Sequence, residues 1–211
     1  IERKECLRDL GIQISDNGKF SSHVEAVCSK VSQKCGWILR TFNLRNTFFL
    51  RFMWKSLVQG VIDYCSQLYF PGESADLRRL ENLFRTFSKK IPEVSHLDYW
   101  NRLKQLKMFS QQRRSERYKI IYTWKVLEGL VPNCGIQEMT TSDRSGKSCS
   151  VPACKGRQAV KTLREQSFQV ARPKLFNSLP RHLREIRKTS KLNFKEQLDL
   201  FLAKVPYQPH T

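Results

Sequence analysis

The chain has 211 residues, with 38 Lys+Arg against 19 Asp+Glu, a formal net charge of +19 and a pI near 9.9. That length buries the core of one or two domains, and 40% apolar residues with 13 Phe exclude wholesale disorder. The longest apolar stretch, 48–70, is broken by Arg51, Lys55, Gln59, Asp63 and Gln67, so it falls short of the ~18 residues of a membrane span and no membrane partner is expected.

Ile1 followed by Glu2-Arg3-Lys4-Glu5 is neither a signal peptide nor a targeting helix, and reads as the cut end of something longer. Leu10-Gly11-Ile12-Gln13-Ile14 alternates before Asp16-Asn17-Gly18, which predicts a short strand and a turn. Ser22-His23-Val24-Glu25 has the form of a capping box, opening a helix that keeps its apolar spacing to about Phe42. Trp37 and Phe42 read as core residues of that helix. A second helix is expected over 47–69, with Leu50, Met53, Trp54, Leu57, Val61 and Leu68 inward, and a third over 74–90. Ser95-His96-Leu97-Asp98 caps a short fourth, and Ser110 starts a fifth that runs to Glu128 and stops at Gly129. Residues 132–160 are rich in Ser, Gly and Cys, which predicts a flexible linker or loop with room for short strands. Beyond it come a strand at 167–170, an apolar turn over 174–179, a basic helical turn over 181–188 and a terminal helix over 193–204. The fold class is mainly α with minor β.

Charge is unevenly spread: residues 1–100 hold 15 Lys+Arg and 11 Asp+Glu, whereas 101–211 hold 23 and 8. A positive field of this kind attracts polyanions, with nucleic acid ahead of acidic membranes and acidic proteins. Three cationic clusters are candidate phosphate contacts: Lys30, Lys34, Arg40 and Arg45; Arg113, Arg114 and Arg117; and Arg181, Arg184, Arg187 and Lys188. A solvated basic face explains any one of them equally well. The second cluster opens a helix, where cations oppose the dipole until tertiary contacts or a bound phosphate offset the cost.

Self-contained catalysis finds no support. The seven aspartates are dispersed without an Asp-Asp pair, and Gly146-Lys147-Ser148 lacks the upstream glycine of a phosphate loop. Cys134, Cys149, Cys154 and His182 offer four potential zinc ligands, but the second closely spaced pair of a structural zinc site is missing, so ordinary loop residues is the plainer reading. The seven cysteines form no disulfide framework, which points to a reducing intracellular compartment, nuclear or cytoplasmic.

Several strings, in order, resemble a known family: Leu10-Gly11-Ile12; Gly36-Trp37-Ile38-Leu39-Arg40-Thr41-Phe42; Leu57-Val58; Asp63-Tyr64-Cys65-Ser66-Gln67-Leu68-Tyr69; Arg102-Leu103; Arg113-Arg114-Ser115-Glu116-Arg117-Tyr118-Lys119-Ile120-Ile121-Tyr122; Trp124-Lys125-Val126-Leu127-Glu128-Gly129; Leu175-Phe176-Asn177-Ser178-Leu179-Pro180; Phe194-Lys195; and Leu198-Asp199. Together they look like the C-terminal end of a reverse transcriptase from a jockey-like, LINE-type retrotransposon without long terminal repeats. The resemblance implies a palm remnant at 1–17, a helical thumb-like domain at 18–131, the linker at 132–160 and a basic, partly irregular α+β segment at 161–211. It also implies that fingers, palm and endonuclease domains lie upstream in a parent polyprotein. The catalytic aspartates and the magnesium they bind belong there, leaving no catalytic residue and no cofactor in this chain. The partner implied is an RNA–DNA hybrid, RNA or DNA. Departures are small: Ser115 stands where relatives often have a third arginine, and Tyr69 where tryptophan is frequent. Two other readings remain: a helical interaction module that docks an acidic protein, and a non-functional remnant.

Overall fold

The computed structural model describes residues 6–69, 74–132, 138–140, 147–154, 164–165, 167–190 and 192–205. The fold is mainly α with two short antiparallel strand pairs. It divides into two compact units, Ile1–Gln112 and Arg113–Thr211. The helix expected to close the thumb-like domain therefore clusters, from Arg113 on, with the C-terminal segment instead.

In the first unit, β1 (Cys6–Asp9) and β2 (Ile12–Ser15) form a hairpin in the register Cys6↔Ser15 to Asp9↔Ile12. Its two-residue turn has positive φ at both Leu10 (45°) and Gly11 (86°), the twist that a tight hairpin demands. Sequence patterning shows one strand there; the second, Cys6–Asp9, is exposed along its length and carries no apolar alternation.

α1 (Ser21–Thr41) buries His23, Val24, Val27, Val31 and Ile38 along one face. The expected capping box does not form, because the helix starts two residues early, with Phe20 rather than Ser22 at the N-cap and no side-chain cap. Ser21 instead donates from Oγ to Asp76 Oδ2 at 2.7 Å.

The expected continuous helix over 47–69 is divided. α2 (Thr47–Met53), N-capped by Asn46 accepting from the Phe49 amide at 2.8 Å, leads into a π turn (Trp54–Val58). α3 (Gln59–Asp63) follows, and Cys65, at φ 51°, breaks the chain before α4 (Ser66–Tyr69). The buried series is Leu50, Trp54, Val58 and Ile62, a strict four-residue repeat. In an α-helix that repeat drifts round the surface; the wider π turn absorbs the drift and keeps all four on one side. Leu57, within the π turn, and Leu68, beyond the break at Cys65, are expected inward but are exposed.

α5 (Ser74–Ser88) brings Leu80, Phe84 and Phe87 into the same core, with the Phe84 and Phe87 rings 4.6 and 5.1 Å from the Trp54 indole. α6 (Tyr99–Gln105) is N-capped by Asp98, which accepts from the Asn101 amide at 3.0 Å. Its Arg102 is buried and satisfies the end of α5, donating to Ser88 Oγ at 3.0 Å and to the Arg85 carbonyl at 3.3 Å.

α7 (Gln111–Leu127) ends as expected. Gly129 sits at φ 67°, its amide bonds the Val126 carbonyl at 3.0 Å, and the Leu130 amide reaches Lys125 at 2.8 Å, the two bonds of a Schellman motif. In the second unit, β3 (Glu138–Thr140) pairs with β4 (Lys147–Cys149). α8 (Phe168–Asn177), α9 (Arg181–Arg184) and α10 (Phe194–Lys204) complete it.

α8 replaces both the strand expected at 167–170 and the turn expected at 174–179. It runs through Pro173, whose missing amide costs one helical bond, and the burial of Val170, Arg172 and Phe176 on either side offsets that loss. Trp124 stacks on Phe194 at 4.8 Å and donates from Nε1 to the Ile186 carbonyl at 2.8 Å.

Candidate nucleic-acid interface

The three cationic clusters separate by what their charges face. In the second unit most are engaged internally. Arg113 is buried and donates to the Leu202 carbonyl at 3.0 Å, which closes an orphan acceptor at the end of α10. A guanidinium is also favoured there by the negative end of the helix dipole. Arg117 grips Asp199 with both prongs, one of them Nη2 to Oδ2 at 2.8 Å. Arg114 donates to the Tyr118 hydroxyl at 3.1 Å, with its guanidinium 5.7 Å from that ring. These contacts offset the unfavourable placement of cations in the first turns of α7. Arg113 thus faces inward rather than toward a phosphate.

The third cluster behaves similarly. Arg184 donates to the carbonyls of Leu179 and Lys147 at 3.0 and 2.6 Å, and Arg181 pairs with Glu185 at 2.6 Å. Lys188 reaches the Glu128 carbonyl at 3.1 Å, while Arg187 lies 3.7 Å from the Glu128 carboxylate. Glu128 is the hub, although the sequence marks it only as the end of a helix. Its Oε1 takes the Lys147 ammonium at 2.8 Å, both side chains being buried, and its Oε2 takes the Lys188 amide at 2.9 Å. Burial alone would raise its carboxyl pKa, but the hydrogen bonds and the Lys147 and Arg187 charges outweigh that and hold it low. Asn177 is a second residue that sequence reasoning misses: its side-chain amide donates to the Cys149 carbonyl and accepts from the Cys149 amide, each at 2.8 Å, completing the edge of β4 as a strand would.

The first cluster is different. Lys30, Lys34 and Arg40 are exposed along α1, and neither lysine makes a hydrogen bond or ion pair among the described residues. Arg45 is turned back onto the helix, bonding the Leu39 carbonyl at its C-terminal end. Trp37, expected in the core, is instead 48% exposed beside Lys30, Gln33 and Lys34, with Phe42 edge-on at 5.7 Å. The sequence signal for this lay in phase: the buried stripe Val24, Val27, Val31 and Ile38 leaves position 37 a full turn-quadrant away.

Between α1 and α5 runs a half-open cleft of about 340 Å³, with Cys35, Gly36, Leu39, Leu83 and Phe87 lining it and Arg79 and Lys90 at its rim. Burial pushes the Cys35 thiol up to about 12. Behind α5 a polar network is fully internal: Glu81 accepts from the Tyr99 hydroxyl and from the Gln111 amide at 2.9 Å, while Gln59 bridges Trp54 Nε1 at 2.7 Å and Gln111 at 3.1 Å. Burial raises the Glu81 carboxyl despite these bonds.

Among the described residues no group of three or more His, Cys, Asp or Glu side chains is placed to hold a metal ion. Of the candidate zinc ligands, Cys134 lies outside the described residues, Cys149 is buried under Asn177, and His182 is exposed. Among the described residues no helix is long and apolar enough to cross a membrane. No protein-family model matches the chain, and no curated protein and no solved structure matches it significantly.

Proposed function

We propose that the chain is a nucleic-acid-binding segment, thumb and downstream region, of an RNA-directed DNA polymerase from a non-LTR retrotransposon. In this reading it grips template and primer inside the cell, nuclear or cytoplasmic, while a palm upstream in the parent holds the magnesium ions and does the chemistry. The observation that carries the reading is the row of exposed cations on α1, without hydrogen-bond or ion-pair partners among the described residues, in a chain of net charge +19. Sequence-blind phosphate contacts of this kind suit a duplex that must slide. The order of the family-like strings supports the same reading, and several have structural work in the fold: Arg102 closes α5, Glu128 organises the second unit, and Asn177 seals β4.

The test is fluorescence anisotropy of the purified chain with a labelled RNA–DNA hybrid from low to high salt. Binding should weaken along a steep log–log line with little sequence dependence. A soluble, helical chain that binds no hybrid at low salt overturns the proposal, and metal-dependent nucleotide incorporation by this chain alone overturns its non-catalytic half. The cleft between α1 and α5, apolar within and cationic at the rim, favours a second reading, the docking of an acidic protein segment. Capture of such a partner that survives nuclease treatment and moderate salt would favour it.

A further inference from the structure

The exposed strip of α1 has the makings of a more specific site than a general basic face. Lys30, Lys34 and Trp37 stand at positions i, i+4 and i+7, so they share one side of the helix, and with Gln33 they line a shallow depression of about 330 Å³. Nearly half of the Trp37 surface is open, whereas Trp54 and Trp124 are buried. A tryptophan on a helix surface is an expensive exposure of apolar area, and here the Phe42 ring, at right angles and 5.7 Å away, shields only part of the indole. From Ala26 to Thr41 the helix carries no carboxylate at all, so the two ammonium groups have no acid on their own element from that point on.

We infer that this strip is a subsite for single-stranded nucleic acid, in which an unpaired base stacks on Trp37 while flanking phosphates meet Lys30 and Lys34. The inference rests on the nucleic-acid reading above and deepens it. An indole offers a flat apolar face that any base accepts, whatever its sequence. Paired bases present only their edges in the grooves, with their faces already stacked, so a duplex cannot use that face unless it ends or opens there. The two lysines are one turn apart, about 6 Å along the axis, which spaces two charges along an extended backbone rather than piling both onto one phosphate. The chemistry shared by RNA and DNA strands, a base with its phosphates, is what the strip recognises.

The experiment uses the full chain with labelled single strands of about 12 nucleotides, in DNA and RNA form, and with the matching duplex. Titration with single strand should quench tryptophan emission, and Trp37→Phe should abolish that quenching while keeping most of the affinity. Trp37→Ala should weaken single-strand binding about tenfold and leave duplex binding nearly unchanged. Replacing Lys30 and Lys34 together by alanine should shallow the single-strand salt slope by about 1.4, at roughly 0.7 for each phosphate left without its lysine. All three variants sit on an exposed face, so helical circular dichroism should match the parent. Undiminished single-strand binding by Trp37→Ala, or an equal loss on duplex, overturns the inference and leaves the general reading standing. A parent chain that binds no strand of any kind overturns both.

Discussion

Replacing Glu128 by alanine should destabilise the second unit selectively. The carboxylate and the Lys147 ammonium are 2.8 Å apart, with side chains only 5% and 4% exposed, so both charges are largely withdrawn from water. Removing one member of a buried pair strands the other and costs about 3–5 kcal/mol. The Lys188 amide loses its acceptor as well, and Arg187 its counter-charge. For a unit of this size, about 4 kcal/mol lowers Tm by about 15–30 °C. The chain has four tryptophans, and 5-fluorotryptophan NMR in urea separates them: Trp124 reports the second unit and Trp54 the first. The Trp124 transition should move to much lower urea. If the loss arises from the stranded charge, Glu128→Leu combined with Lys147→Met should recover part of it, leaving about 1–3 kcal/mol for the unpartnered amide. A single-variant loss below about 1 kcal/mol, the level of an exposed pair, would refute the argument. So would a double variant no more stable than the single.

Gly129→Ala should cost about 1 kcal/mol through backbone strain alone, because the residue sits at φ 67° while a methyl group there would meet no atom within 4 Å. A Trp124 urea midpoint unchanged by the substitution would contradict this. The two units should respond to acid in opposite directions. Burial raises the Glu81 carboxyl, so its contribution to stability is present in full below its unfolded pKa and is lost as pH rises through the folded one. The Glu128 carboxyl is raised by burial but lowered more by its hydrogen bonds and neighbouring cations, so its contribution is present above the unfolded pKa and is lost as pH falls through the folded one. Between about pH 6 and about pH 4, hydrogen-exchange protection should therefore shift in favour of first-unit amides over second-unit ones. Equal changes in both would count against the assignments.

Elements with strong local signals were legible in the sequence: a cap within Ser95–Asp98, which proves to be its last residue, Asp98, the glycine stop of α7 and the Asn193 start of α10, whose side chain accepts from the Lys195 amide at 3.0 Å. What escaped depended on tertiary contact. Pro173 reads locally as a boundary, yet burial carries α8 through it. Ser22 and Glu25 have the spacing of a capping box, but Ser21 finds Asp76, fifty-five residues away, and the helix begins earlier. The candidate site was half legible. Cationic composition is local, whereas the internal pairing of Arg113 and Arg117 requires knowing where Leu202 and Asp199 lie, 89 and 82 residues on. Trp37 was misplaced because an aromatic residue within an apolar helix is so commonly buried.

The π turn at Trp54–Val58 has a consequence for lineage. A helix that widens one turn has room for one residue more than its neighbours' spacing requires, so a chain lacking that residue would keep Leu50 on one side and Ile62 on the other in the same core. Alignment with any true relative that has a regular helix there should open a single-residue gap between Trp54 and Val58. Forced through without the gap, every position on one side of it would be compared with the wrong face of the other chain, and a genuine kinship would look like chance.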